Sequence, residues 1–201
     1  MKIFTLARVN HIERMDAAES AWLINECIAG NEDAIELLVR RYETGVFRFA
    51  LSIVGDQAEA NEITQETFLS ALRSLRTYQE KNSLKAWLYR IALNHSRSHL
   101  RKQKILERLK TAATAIFHIE QGHKQSLPED AVIQDEKEAA VWMELNKLDE
   151  RHRTVVVLRY FHELSISEIS EILAINEGTI HSRLYTARER LKKSLEKLRG
   201  E

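Results

Sequence analysis

Apolar residues recur at three- and four-residue spacing along most of the chain, the period of amphipathic helices. Trp22, Leu23 and Ile28 predict a helix over residues 19–29. Ala34, Leu37, Leu38, Tyr42, Val46, Phe49, Ala50 and Ile53 predict a longer one from Asn31 to Val54, ended by Gly55. Asp56, with Glu59 three residues on, resembles a capping box and opens a helix over about 57–75. Its apolar face holds Ile63, Phe68, Ala71, Leu72 and Leu75. A polar loop, Arg76 to Asn82, follows, and Ser83 caps a helix that starts at Leu84.

That helix changes character along its length. Leu84, Trp87, Leu88, Ile91 and Ala92 make an apolar face, but Asn94 to Gln103, NHSRSHLRKQ, hold only one apolar residue, Leu100. A helix that leaves its core while becoming basic suits phosphates and base edges. Periodicity is lost over residues 104–134, which contain Gly122 and the only proline, Pro128, so a linker is expected there. Helical spacing returns from Glu136 to Lys147, with Ala140, Val141, Met143, Leu145 and then Leu148.

The C-terminal pattern is the most specific. Val155, Leu158 and Phe161 predict a helix over Thr154–His162. Ser165-Ile166-Ser167-Glu168 is a capping box, and Ile166, Ile169, Ile172 and Leu173 face inward behind it. Ala174-Ile175-Asn176 forms a tight turn, and Asn176 caps a last helix reaching about Leu198. Ile180, Leu184, Ala187, Leu191, Leu195 and Leu198 form its buried stripe. His181, Ser182, Tyr185 and Thr186 remain outside, flanked by Arg183 and Arg188. A short support helix, a tight turn and a longer helix with such a face make a helix-turn-helix able to enter a major groove.

Composition agrees with an all-α protein of two small helical domains joined by a flexible linker. Six Gly and one Pro among 201 residues leave few helix breakers. One cysteine, Cys27, excludes an internal disulfide and fits a reducing cytoplasm. The first residues lack the apolar core of a signal peptide, and no run approaches the roughly 20 apolar residues of a membrane span. Net charge is zero but unevenly spread. His95–Lys110 holds six Lys/Arg against one Glu, and Asn176–Arg199 seven against three. Glu129–Glu150 holds eight acidic residues against two basic. Two basic stretches around an acidic one suggest two polyanion-facing surfaces.

The segment LDERHRTVVVLRYFHELSISEISEILAINEGTIHSRLYTARERLKKSL resembles the fourth conserved domain of bacterial RNA polymerase sigma factors, in particular the extracytoplasmic-function (ECF) group. ANEITQETFLSAL resembles that family's polymerase-binding helix, and SLKAWLYRIALNHSRSHLRK its promoter-melting and −10-reading helix. The family usually has Gly where this chain has Ala174, and often a basic residue at position 186, here Thr; an acidic residue is common where Asn61 stands. The resemblance implies an N-terminal extension over 1–19, a region 2-like domain over 20–105, a linker over 106–134 and a region 4-like domain over 135–201. It implies docking on core RNA polymerase through Glu62, Gln65, Glu66 and Leu69. It implies −10 reading and melting by Tyr78, Lys81, Asn82, Trp87, Tyr89, Asn94, Arg97, Ser98 and Arg101. Tyr78 or Tyr89 would stack on an unpaired base, while Trp87 fits either a DNA contact or the core. Reading of −35 promoter DNA falls to His181, Ser182, Arg183, Tyr185, Thr186 and Arg188. An anti-sigma factor is a further implied partner.

Two rival classes explain less. A regulator acting without polymerase accounts for the helix-turn-helix but leaves QETF and AWLYRIALN unexplained. His95 and His99, four apart on a helix, have the spacing of a metal pair, but no third ligand is evident. No nucleophile–base constellation or glycine-rich phosphate loop is present in the sequence, so neither an enzyme, a cofactor nor a metal site is expected.

Overall fold

The computed structural model describes residues 17–78, 83–117 and 142–199. Among them there is no strand. The first module comprises α1 (Ala17–Ala29), α2 (Glu32–Val54), α3 (Gln57–Ser74) with a 3-10 turn at Leu75–Thr77, and α4 (Leu84–Phe117). The second comprises α5 (residues 142–146), α6 (Glu150–Val156) running into one π-helical turn at Val157–Phe161, α7 (Ile166–Leu173) and α8 (Glu177–Arg199).

Local chemistry sets the boundaries. The Asn31 side chain accepts from the N–H groups of Asp33 and Ala34 to start α2. Gly55, at φ 79°, ends it in the left-handed conformation, its N–H bonded to the Leu51 carbonyl. Asp56 caps α3 through the Glu59 N–H at 2.9 Å. The second half of the expected box does not form: the Glu59 carboxylate crosses to His99 and Gln103 on α4. Ser83 starts α4 through the Ala86 N–H at 3.1 Å. The buried hydroxyls of Thr64, Thr67 and Ser96 return to carbonyls four residues back, so they cost the core no unpaired donor.

Two differences from the sequence pattern stand out. Helix α4 continues to Phe117, well past residue 105, so the expected linker begins inside a helix. The Lys102–Lys110 stretch there has Ile105, Leu106 and Leu109 in the open, which is why no clear buried stripe marks it in the sequence. Trp22, one of the apolar residues that predict α1, is 55% exposed, whereas Leu23 is fully buried. The extension 1–16, Lys81, Asn82 and residues 118–141 lie outside the described residues, as do the side chains of Leu195 and Leu198.

The two modules share one apolar core. Val155, Val156, Val157 and Leu158 are all 0% exposed, four consecutive residues with no solvent side. A helix buried all round must be packed on every face, and here α2 closes the side that α7 and α8 leave open. At the junction the ring of His162 lies 4.6 Å from that of Tyr89 and 5.8 Å from that of Phe49, and these two rings meet edge to face at 5.1 Å. The Tyr89 hydroxyl and His162 Nδ1 are hydrogen-bonded at 2.8 Å. The π turn sets this geometry: the His162 N–H bonds the Val157 carbonyl, five residues back, re-aiming the ring toward α4.

Two expectations follow. Ala174 holds the turn at φ 53°, a conformation that costs a Cβ-bearing residue roughly 1–2 kcal/mol. Glycine relieves that strain but adds about 0.4–1 kcal/mol of unfolded-state entropy. Ala174→Gly should therefore stabilise the chain by about 0.5–1 kcal/mol in urea melts. The second concerns acid. Burial, followed by the charges of Lys85 on α4 and Arg48 on α2, lowers the His162 pKa to about 3. An exposed imidazole titrates near 6.5, so between about 6.5 and 3 the unfolded chain binds the extra proton. The stabilisation is complete above 6.5 and declines as pH falls. From pH 7 to pH 5 the native chain should lose about 2 kcal/mol more than His162→Gln, measured by parallel urea melts.

Candidate nucleic-acid interface

The helix-turn-helix forms from the predicted parts. The Ser165 hydroxyl accepts from the Glu168 N–H at 3.1 Å, and the Glu168 carboxylate accepts from the Ser165 N–H at 2.7 Å. Asn176 caps α8 through the Thr179 N–H at 2.8 Å. Ile180, Leu184, Ala187 and Leu191 are buried, which fixes the rotation of α8. His181, Ser182, Tyr185 and Arg188 are consequently exposed, Tyr185 at 63%, while Arg183 and Thr186 are half-buried. His181, Ser182, Tyr185 and Thr186 lie on the side of α8 away from that stripe, with Arg183 and Arg188 at its two opposite edges.

Beside that face is an open recess of about 600 Å³ lined by Asp149, Arg151, His152, Asn176, Gly178, Thr179, Ser182 and Arg183. The positive end of the α8 dipole and two guanidinium groups make it favourable for a phosphate. Asp149 is the one carboxylate in the lining, and its charge is already engaged. Partial burial raises its pKa, but hydrogen bonds from the His152 side chain and backbone and from Arg190 outweigh this and hold it at about 2. The His152 ring lies at 2.7 Å and the Arg190 guanidinium at 3.1 Å. Sequence reasoning missed Arg151 and His152, although the dense run Glu150-Arg151-His152-Arg153 directly before the apolar Val155–Leu158 carried a signal.

The first module presents two further faces. On α3, Glu62, Gln65, Glu66 and Leu69 are all exposed and fall at i, i+3, i+4 and i+7, one stripe of the helix. Leu69 is 53% exposed, an apolar centre in a polar rim. On α4, Asn94 and Arg101 are exposed and Trp87, Arg97 and Ser98 are half-buried. Trp87 packs its edge against Tyr78, ring centroids 5.4 Å apart. Arg97 is paired with Glu150 of the second module at 3.3 Å. Tyr89 departs from expectation: it is 1% exposed, lies under the second module and faces His162 instead of solvent. The histidine pair takes carboxylate partners in place of a shared metal geometry. His95 Nδ1 meets Glu66 at 3.0 Å and its Nε2 meets Ser70 at 2.9 Å, while His99 meets Glu59 at 3.2 Å. Among the described residues no three potential metal ligands cluster, and no helix is long and apolar enough to cross a membrane.

Comparison with known proteins agrees with this layout. Residues 38–105 match the family described as Sigma-70 region 2, and residues 138–191 match Sigma-70, region 4. The chain is 34% identical over 181 residues to the RNA polymerase sigma-H factor of Pseudomonas aeruginosa, spanning 88% of this chain and 93% of that one. It is 33% identical over 179 residues to the ECF RNA polymerase sigma factor SigW of Bacillus subtilis, spanning 87% and 96%. Among solved structures, the sigma factor RpoE of Bartonella quintana, in complex with the anti-sigma factor NepR, is similar at 25% identity and TM-score 0.61 over 80% of this chain and 96% of that one. The fold also matches CnrH, solved with the cytosolic domain of CnrY, at 24% identity and TM-score 0.65 over 90% and 98%. With both conserved regions present in order, and relatives aligned over nearly their whole length, the chain belongs to the ECF group of RNA polymerase sigma factors.

Proposed function

We propose that the chain carries its promoter-directing role on three separate faces: α3 docks on core RNA polymerase, α4 engages the opened −10 strand, and α8 reads the −35 duplex. The observation that carries this is the outer side of α8. Its polar and basic residues are free of the core and continue into the Arg151–Arg183 recess. His181, Ser182 and Tyr185 have the donors and acceptors to address base edges, while Arg151 and Arg183 hold the backbone.

On α3, an exposed leucine ringed by Glu62, Gln65 and Glu66 suits a basic, partly apolar partner. On α4, holding an unpaired base offsets the few kcal/mol lost on unstacking it. An aromatic platform supplies about 1–3 kcal/mol per base, and the Tyr78–Trp87 pair is the aromatic surface at the start of α4 that meets solvent. Splitting recognition between two weak modules makes it depend on polymerase, because tethering raises the effective concentration of the second contact. The chain supplies no bond-forming chemistry; the polymerase does, in the cytoplasm where chromosome and enzyme meet. The solved complex of a similar sigma factor with its anti-sigma factor supports an inhibitor of that kind as a further partner here.

The experiment is transcription from cognate promoter DNA with purified core polymerase, alongside gel-filtration co-elution. Arg183→Ala and Ser182→Ala should each lower initiation about tenfold or more, a loss of 1–3 kcal/mol in base or phosphate contact, and should still co-elute. Glu66→Lys with Leu69→Ala should abolish co-elution. Co-elution lost in the α8 variants, or kept in the α3 variant, contradicts the assignment of faces.

A further inference from the structure

We propose that His95 and His99 are positioning residues for strand reading: with Gln103 they form a polar seam to α3 that holds the basic half of α4 in place for the opened promoter strand. This rests on α4 being the strand-reading helix.

The apolar core does not reach that half of the helix. Ser96 is its last buried residue among those described, and from Arg97 on every described side chain is half-buried or exposed. Leu100 is the one apolar residue there that still packs on the core. Arg97, Ser98 and Arg101, three of the residues assigned to the strand, lie in this half, and Asn94 lies at its edge. Something other than core packing must fix their rotation and height.

The seam does so. His95, His99 and Gln103 recur at i, i+4 and i+8, one line along α4. His95 Nδ1 lies 3.0 Å from the Glu66 carboxylate, and its Nε2 lies 2.9 Å from the Ser70 hydroxyl. With the carboxylate accepting at Nδ1, that nitrogen carries the hydrogen, and Nε2 of the neutral ring accepts from Ser70. Both ring nitrogens are committed, which leaves the ring one orientation. One turn on, His99 Nε2 lies 3.2 Å from the Glu59 carboxylate, and the Gln103 amide donates to the same carboxylate. The order runs oppositely on the two helices, so the rungs tie antiparallel neighbours over about two turns. Hydrogen bonds fix distance and angle, which apolar contacts do not.

The histidines act through the helix and not on the strand. They are rotated by about 100° from Asn94 and Ser98, the step of one residue around a helix. Their rings therefore turn to α3 while Asn94, Ser98 and Arg101 turn away from it. On the other side of the seam, α3 is capped by the side chain of Asp56, so the Glu59 carboxylate has no part in starting its own helix.

The test uses the full chain with core polymerase and a duplex promoter fragment on which the pair initiates. Permanganate reactivity of thymines in the opened strand, followed over a range of holoenzyme concentrations, separates duplex affinity from opening rate. His95→Leu with His99→Leu keeps the volume and removes the rungs. It should slow opening at least about tenfold, the order expected when a binding constellation is no longer held to within about 0.5 Å. Duplex affinity and co-elution with polymerase should stay at native values. His95→Gln with His99→Gln, whose amides still donate, should recover most of the opening rate. Glu59→Ala removes two rungs from the α3 side, alters no residue that faces the strand and keeps the Asp56 cap. It should slow opening as His99→Leu alone does, and it keeps the test decisive if the double leucine variant fails to fold. Native opening in the leucine variant, no recovery with glutamine, or native opening in Glu59→Ala overturns the positioning role. Native opening in Asn94→Ala with Arg101→Ala overturns instead the assignment of the strand to α4.

Discussion

The packing of a neutral imidazole against two aromatic rings is the contact on which the arrangement of this chain depends. His162 reaches across from the second module to Phe49 and Tyr89 of the first. A charged imidazole there would be desolvated and set beside Lys85 and Arg48, so only the neutral form fits. The π turn that aims the ring, the full burial of Val155–Leu158 and the single shared core all follow from bringing that segment between the modules.

The rest of the architecture is a division of helix faces. Helices α3 and α8 each give one stripe to the core and leave another exposed. On α3, burial of Ile63, Phe68 and Ala71 leaves Glu62, Gln65, Glu66 and Leu69 outside. On α8, burial of Ile180, Leu184 and Ala187 leaves the polar residues of its first turns outside. Helix α4 differs because both of its sides are occupied, by α2 and α3 on one side and by α7 on the other. The outward stripe of α3 and the first turns of α8, by contrast, are left uncovered.

Features governed by local chemistry were legible from the sequence. The caps at Asp56, Ser83, Ser165 and Asn176, and the rotations of α3 and α8, depend on residues within a turn or two of each other. Features set by distant contacts were not. Tyr89 looks like a stacking residue until His162, 73 positions away, covers it. Glu59 reads as half of a capping box, but its carboxylate finds His99 and Gln103 across the helix pair. The end of α4 was missed because exposed Ile105, Leu106 and Leu109 give no core-facing stripe. One signal of the shared core did exist: the unbroken Val155-Val156-Val157-Leu158 run has no polar position, which a helix with one solvent side would need.

The central claim is that both modules act together on one promoter through polymerase. Mapping transcript 5′ ends made on sheared genomic DNA by core polymerase, with and without this chain, tests it most directly. The account predicts chain-dependent start sites that share two upstream elements at fixed spacing, one read as duplex by α8 and one opened over α4. Start sites unchanged by the chain, or sharing only one element, would contradict it.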